Sequence, residues 1–377
     1  MQKNIDYRFK ILYAVGIILV VSDHVGGYGG ISFLHDWFNP LSYHLALFIF
    51  SSGYFYNSSN EKSPLKYIWK KIKSLIIPLY IYNVVYGLFV LATRLKGFEI
   101  GGNFNLYNIF VAPVMSGHQF VYNMGGWFVI PLFMVETLAV LCRKLLKAVS
   151  NSISEWVIFL FSLSLGIVGN LIACMGFYNG WWLVLVRMLY FVPFYALGIL
   201  YKEKLEKIDK KIPSFYYFAC VFAVALIIIY SYGKIPTYTP SWCYDFTEGP
   251  VMPVIIGYLG IFTWMRIANI LNPVIGKSKW INVIAGNTYS IMINQFLGFM
   301  IVKTMFGIIS RYYTGFSDFD WIGFKKDIWY FYTPKQVSQM LIFYSVAGLV
   351  FPIILQKGIN KAKNAILSIS KHITKQA

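Results

Sequence analysis

Charge is what this chain has least of. Only 13% of its 377 residues are Asp, Glu, Lys or Arg, against 58% hydrophobic, where soluble domains carry about 25% charged residues. Acidic side chains are the scarcer kind, 15 against 33 Lys and Arg. The four cysteines form no framework. Cys142, Cys174 and Cys220 lie in or beside apolar runs and Cys243 lies in a loop, so no disulfide or zinc spacing is present. HExxH and CxxC are absent as well, and no metal is expected. "GKSK" at 276–279 lacks the glycine spacing of a phosphate loop. Without repeats, low-complexity tracts or a soluble second domain, the chain reads as one integral-membrane domain over 1–377.

What is present is apolar sequence in runs of roughly 20 residues, each able to cross about 30 Å of hydrocarbon. Spans are expected near 9–28, 40–57, 68–93, 126–148, 154–174, 181–201, 214–232, 250–271, 280–306 and 337–358. The fold class is therefore all-α, a polytopic bundle of about ten transmembrane helices in a cell membrane. The net charge of +18 does not imply nucleic acid, because the cations alternate from loop to loop. Lys3, Arg8 and Lys10, then Lys62 to Lys73, Arg143 to Lys147, Lys202 to Lys211, Arg266 to Lys279 and Lys357 onward share one side. The loops 29–39 and 175–180 have none, and 233–249 has only Lys234. The positive-inside rule then puts both termini in the cytoplasm. The first apolar run has no small-residue cleavage site, so it is expected to stay as a helix.

Ionisable groups at membrane depth are costly and commonly functional. "GIILVVSDHVGG" at 16–27 ends its apolar run in Asp23 and His24. His44 stands about one turn in from the same face, Arg187 at a similar depth, Glu136 deeper, and Asn294 and Gln295 in the middle of a late span. Tyr13 and His24 are eleven residues apart, about 16 Å of rise, and return to nearly one face of the first helix; Lys10 lies on the same stripe. Other readings stand beside these. His44 can serve only to bond a neighbouring helix, Arg187 can pair with Glu136 or Asp23, and Glu136 can be a counter-ion. Two outer segments, 94–125 and 307–336, are rich in aromatics and read either as interfacial anchors or as a lid and acceptor platform.

The order of these features resembles the integral-membrane acyltransferase family 3, whose members O-acylate cell-surface polysaccharides and related acceptors. "YAVGIILVVSDH" is similar to that family's first helix, with its essential histidine at His24; the family's arginine position holds Tyr13, and Lys10 is the candidate substitute. "YHLALFIFSSGYFY" at 43–56 matches at His44, Ser52 and Gly53. "WKKIKSLIIPLY" at 69–80 resembles the basic entry to the third helix, with Lys70, Lys73 and Pro78 matching. "GGWFVIPLF" at 125–133 fits the block bearing Trp127, and "GNTYSIMINQF" at 286–296 fits a late helix that often ends in histidine, where this chain has Asn294 and Gln295.

The resemblance implies transfer of an acyl group, acetyl foremost, from cytoplasmic acyl-CoA to a hydroxyl of an extracytoplasmic glycan or lipid-linked saccharide. Cations suit the donor's phosphates, which makes Lys10, Lys70, Lys71 and Lys73 donor-binding candidates, with Tyr13 and Ser52 along the path. His24 suits general-base work on a hydroxyl or transient acyl carriage. Asp23 or Glu136 would orient it, Arg187 or Asn294 would stabilise an oxyanion, and His44 is a further catalytic candidate. The rival readings are a glycan or small-molecule transporter or flippase that performs no acyl transfer, and an assembly partner of a glycan synthase.

Overall fold

The first apolar run becomes helix α1, Tyr7–His24, because Asp6 caps it: the carboxylate accepts the Arg8 backbone N–H at 3.1 Å. This computed structural model describes residues 5–26, 38–149 and 153–376. Lys3 and residues 29–37 of the first loop, both used in the charge reading, lie outside them. No strand occurs among the described residues. The other principal helices are α2 His44–Tyr54, α3 Pro64–Arg94, α4 Met124–Val149, α5 Glu155–Cys174, α6 Trp181–Asp209, α7 Ser214–Tyr232, α8 Met252–Ile275, α9 Thr288–Ile309 and α10 Leu341–Gln376.

Every expected span meets one of these helices. Eight helices among the described residues are long and apolar enough to cross a bilayer, and the chain is a multi-pass membrane protein. The two expected spans outside that number are α1 and α2. Helix α1 carries Arg8, Lys10 and Asp23 within 18 residues. Helix α2 has only 11 residues, about 16 Å of rise, which is half a hydrocarbon core.

Burial explains why those two can be exceptions. Helix α1 is apolar on nearly all sides and is packed by α2, α8, α9, α10 and the short helix Lys279–Gly286, so its charges face protein rather than lipid. Helix α6 is equally central, with 89% of its apolar window inside. Helix α7 is the opposite case: it packs on α8 alone among its principal contacts and leaves Phe215 and Tyr230 outward, as a lipid-facing helix does. The α2–α6 crossing depends on glycine. A Cβ on Gly53 would stand 2.0 Å from the Tyr195 carbonyl oxygen, and one on Gly198 would stand 2.1 Å from that of Phe50. The two backbones touch, which only small residues permit.

Helix α1 thus joins two unlike ends of the bundle. One is basic, with Arg8, Lys10 and the Lys62–Lys73 segment. At the other, segments from 95–123, 233–251 and 310–337 meet over His24.

Candidate active site

The last turn of α1 delivers Asp23 and His24 into a cavity of about 150 Å³. His24 Nδ1 is 2.6 Å from the Val20 carbonyl oxygen one turn back. A carbonyl only accepts, so Nδ1 carries the proton, and Nε2 is left with its lone pair. The ring is fixed by aromatics on two sides. Trp329 stacks on it at 6.0 Å and 11°, and Phe296 of α9 meets it edge-on at 5.4 Å.

The remaining walls come from loops. His118 belongs to the segment before α4, Met124 and Trp127 lie in the first turn of α4, and Thr239, Ser241 and Trp242 come from the connection between α7 and α8. Arg187 of α6 ties these together. Its Nε donates to the Ser241 carbonyl at 3.0 Å, and its two terminal nitrogens donate at 3.1 Å to the Met115 and Ser116 carbonyls. A further bond from it reaches Ser241 O. The guanidinium lies 4.6 Å from the centre of the Trp127 ring, a cation–π contact. Arg187 therefore joins two loops to the bundle through their backbones.

Loop electrostatics are those of a dry site. Burial, the Arg187 charge and nearby His24 push the His118 imidazole down to about 3, opposed by the Ser116 backbone. Burial pushes the Cys243 thiol up to about 12, which leaves it a protonated, poor nucleophile. Burial also raises the Asp245 carboxyl, opposed by the Thr239 backbone N–H that it accepts at 3.0 Å.

Of the residues singled out in the sequence, Asp23 and His24 line the cavity and Arg187 stands behind its Trp127 wall. His44 is 2% exposed, gives Nδ1–H to the Pro40 carbonyl at 2.7 Å, and is close enough to His24 to interact electrostatically. Asn294 accepts from Tyr86 Oη at 2.7 Å and donates to Ser290 O at 2.9 Å. Glu136 is elsewhere: its carboxylate takes Lys71 Nζ at 2.6 Å, not Arg187. Tyr13, Tyr67 and Tyr195 share that neighbourhood, and Ser51 faces the Tyr13 hydroxyl. Ser52 is half-buried on the same short helix, Lys10 is partly buried on α1, and Lys70 and Lys73 are exposed. His118, Thr239, Ser241, Trp242 and Trp329 were not singled out in the sequence. The available signal was a histidine and indoles inside Gly-, Asn- and aromatic-rich loops.

The quoted motif blocks therefore converge on α1, α2, α3, α4 and α9, around and below one cavity. The comparison with curated proteins and that with solved structures return no match. The family model described as an acyltransferase domain matches residues 6–357, and over nearly its whole length this multi-pass chain belongs to acyltransferase family 3.

Proposed function

We propose that this membrane acyltransferase moves an acyl group, acetyl foremost, from cytoplasmic acyl-CoA to a hydroxyl of an extracytoplasmic glycan or lipid-linked saccharide. The observation that carries the reading is His24 itself. Its Nδ1–H is spent on Val20 O at 2.6 Å, so a single nitrogen, Nε2, remains for chemistry in a cavity walled by Trp127, Trp242 and Trp329. Indole faces suit the C–H faces of a sugar ring and exclude water. In the reaction, Nε2 takes the hydroxyl proton as the acceptor oxygen bonds to the thioester carbon. The C–S bond then breaks, and the proton returns to the leaving sulfur.

Orientation follows from charge. The basic end faces the cytoplasm by the positive-inside rule, with both termini on that side. There Lys10, Lys70 and Lys73 meet the donor's phosphates. Lys10 stands in for the cation that the family pattern sets at residue 13, and Lys71, paired with the Glu136 carboxylate that Tyr13 also feels, adds a second cation on this side. The thioester arm passes Tyr13 and Ser52 toward His24, and the acceptor enters between the loops at the opposite end.

The test is transfer of labelled acetyl from acetyl-CoA to surface glycan in membranes carrying the protein. His24→Ala is expected to lower transfer by at least about 10³-fold, with insertion and melting midpoint retained. Transfer that survives this substitution rejects the role of His24. A wild-type protein that turns over no acyl-CoA rejects the reading altogether.

A further inference from the structure

His118 belongs to none of the motif blocks, yet its ring lines the same cavity as His24. It is placed there by packing. The imidazole stacks on Trp242, centroids 4.5 Å apart and planes 16° from parallel. The chain just before it is held by Arg187, which binds the Met115 and Ser116 carbonyls. His118 Nδ1 is enclosed and has no partner at hydrogen-bond geometry. The Ser116 backbone is the one group near the ring that favours its protonated form, and a buried polar atom left without a well-formed bond calls for a reason.

Acyl transfer supplies one. When an alcohol attacks a thioester, the carbonyl oxygen becomes an oxyanion and needs a fixed donor close by. The donors first expected from the sequence are already committed. Arg187 gives its N–H groups to three carbonyls, those of Met115, Ser116 and Ser241. Asn294 Nδ2 gives to Ser290, and His24 Nδ1–H gives to Val20.

Resting on the acyl-transfer reading above, we propose that His118 is a second catalytic imidazole, whose ring N–H donates to the carbonyl oxygen of the acyl group as negative charge builds there. The step balances without a further reagent. The acceptor O–C bond forms while its proton passes to His24 Nε2, and the carbonyl π pair moves onto the oxygen held by His118. Collapse restores the C=O bond, breaks the C–S bond and returns the proton from His24 to sulfur. His118 keeps its own proton throughout. A ring pushed down to about 3 is uncharged at neutral pH, and an uncharged imidazole is an established means of polarising a carbonyl oxygen.

The deciding variant is His118→Phe in the full-length protein, which keeps a ring on Trp242 and removes the N–H. Its kcat for acetyl transfer is expected to fall about 10²–10³-fold, with KM for acetyl-CoA within about threefold of wild type, as loss of a contact made only in the transition state requires. His118→Gln restores an N–H donor and is expected to recover about tenfold of the loss. The pH profile of each variant should keep the limb that belongs to His24. His118→Leu repeats the test without a ring, so the outcome does not hang on one substitution, and melting midpoints check folding. If wild type transfers acetyl, His24→Ala does not, and the folded His118 variants stay within about threefold in kcat, the role of His118 is overturned alone. If wild type transfers nothing, or His24→Ala still transfers, the acyl-transfer reading falls and takes this inference with it.

Discussion

The two ends of the bundle spend their polar side chains in opposite ways. At the basic end the charges largely answer one another. Arg8 holds Asp6 and, at 2.9 Å, Glu206; Arg266 holds Asp209 at 2.7 Å; Lys147 holds Glu61 at 2.5 Å; Arg143 holds Glu155; and Lys71 holds Glu136. At the His24 end the cavity is walled by imidazoles, indoles, hydroxyls and the Asp23 carboxylate, and both α1 and α2 anchor a histidine to a backbone carbonyl through one nitrogen. Closed pairs fasten helices to each other. A ring tied at one nitrogen has another for a substrate. Two kinds of mutational effect should follow, stability at the paired sites and turnover at the cavity.

The largest departure from that division is expected at Arg187, which stands behind the Trp127 wall at the cavity end and is used structurally. Arg187→Met strands the Met115, Ser116 and Ser241 carbonyls and loosens the loops that bring His118 and Trp242 over His24. Hydrogen bonds from a charged donor are worth about 1.5–3 kcal/mol each, so the loss should be on the order of 5 kcal/mol, read as a lowered melting midpoint in detergent, with transfer lost alongside. Arg187→Lys should not rescue it, because one ammonium cannot reproduce a planar fork aimed at three acceptors. A folded, inactive Arg187→Met variant would instead point to a direct part in the chemistry.

Next in size is the Lys71–Glu136 pair. Glu136 is 2% exposed, while Lys71 keeps 25% of its side chain accessible. Removing the cation leaves a buried carboxylate uncompensated, so Lys71→Met should cost about 3 kcal/mol. Glu136→Gln should cost less, since the lysine can turn toward solvent. The double variant should be more stable than Lys71→Met alone, and a thermodynamic cycle measures that coupling. Additive losses would mean that the pair is not what holds α3 to α4.

The sequence carried the fold further than the site, for a physical reason. A span must satisfy its backbone internally, so each apolar run announces its own helix, and ten runs became ten principal helices. The brevity of α2 was not legible: Pro40–Ser42 takes up the expected start of the span as a tight turn capped by Asn39, and only protein neighbours make so short a helix tolerable. Asp23 and His24 could be read because charge at membrane depth is conspicuous. His118, Trp242 and Trp329 could not, since a loop has no period to say which side chain faces which. Their meeting is decided by contacts such as those of Arg187 with Met115 and Ser241, 72 and 54 residues distant in the chain. The partner of Glu136 was hidden for the same reason, 65 residues away on α3.

The smallest effects belong to the cations left over at the basic end. Lys70 and Lys73 are exposed, and Lys73 lies 5.2 Å from the centre of the Trp69 ring; neither has an ion pair among the described residues. Solvent-exposed charges contribute little to stability, so Lys70→Ala and Lys73→Ala should leave the melting midpoint unchanged. If these lysines meet the phosphates of acyl-CoA, each substitution raises KM for the donor about 3–10-fold with kcat nearly constant, because the contact is equally good in ground state and transition state. The penalty should shrink as salt rises, since exposed charges about 10 Å apart are already screened near 0.1 M. Lys144→Ala and Lys204→Ala, on other helices of the same basic end, serve as controls for a general field effect. An equal rise in KM for all four variants would reduce the donor site to diffuse charge, whereas a rise confined to Lys70 and Lys73 places the nucleotide end of the donor at the entry to α3.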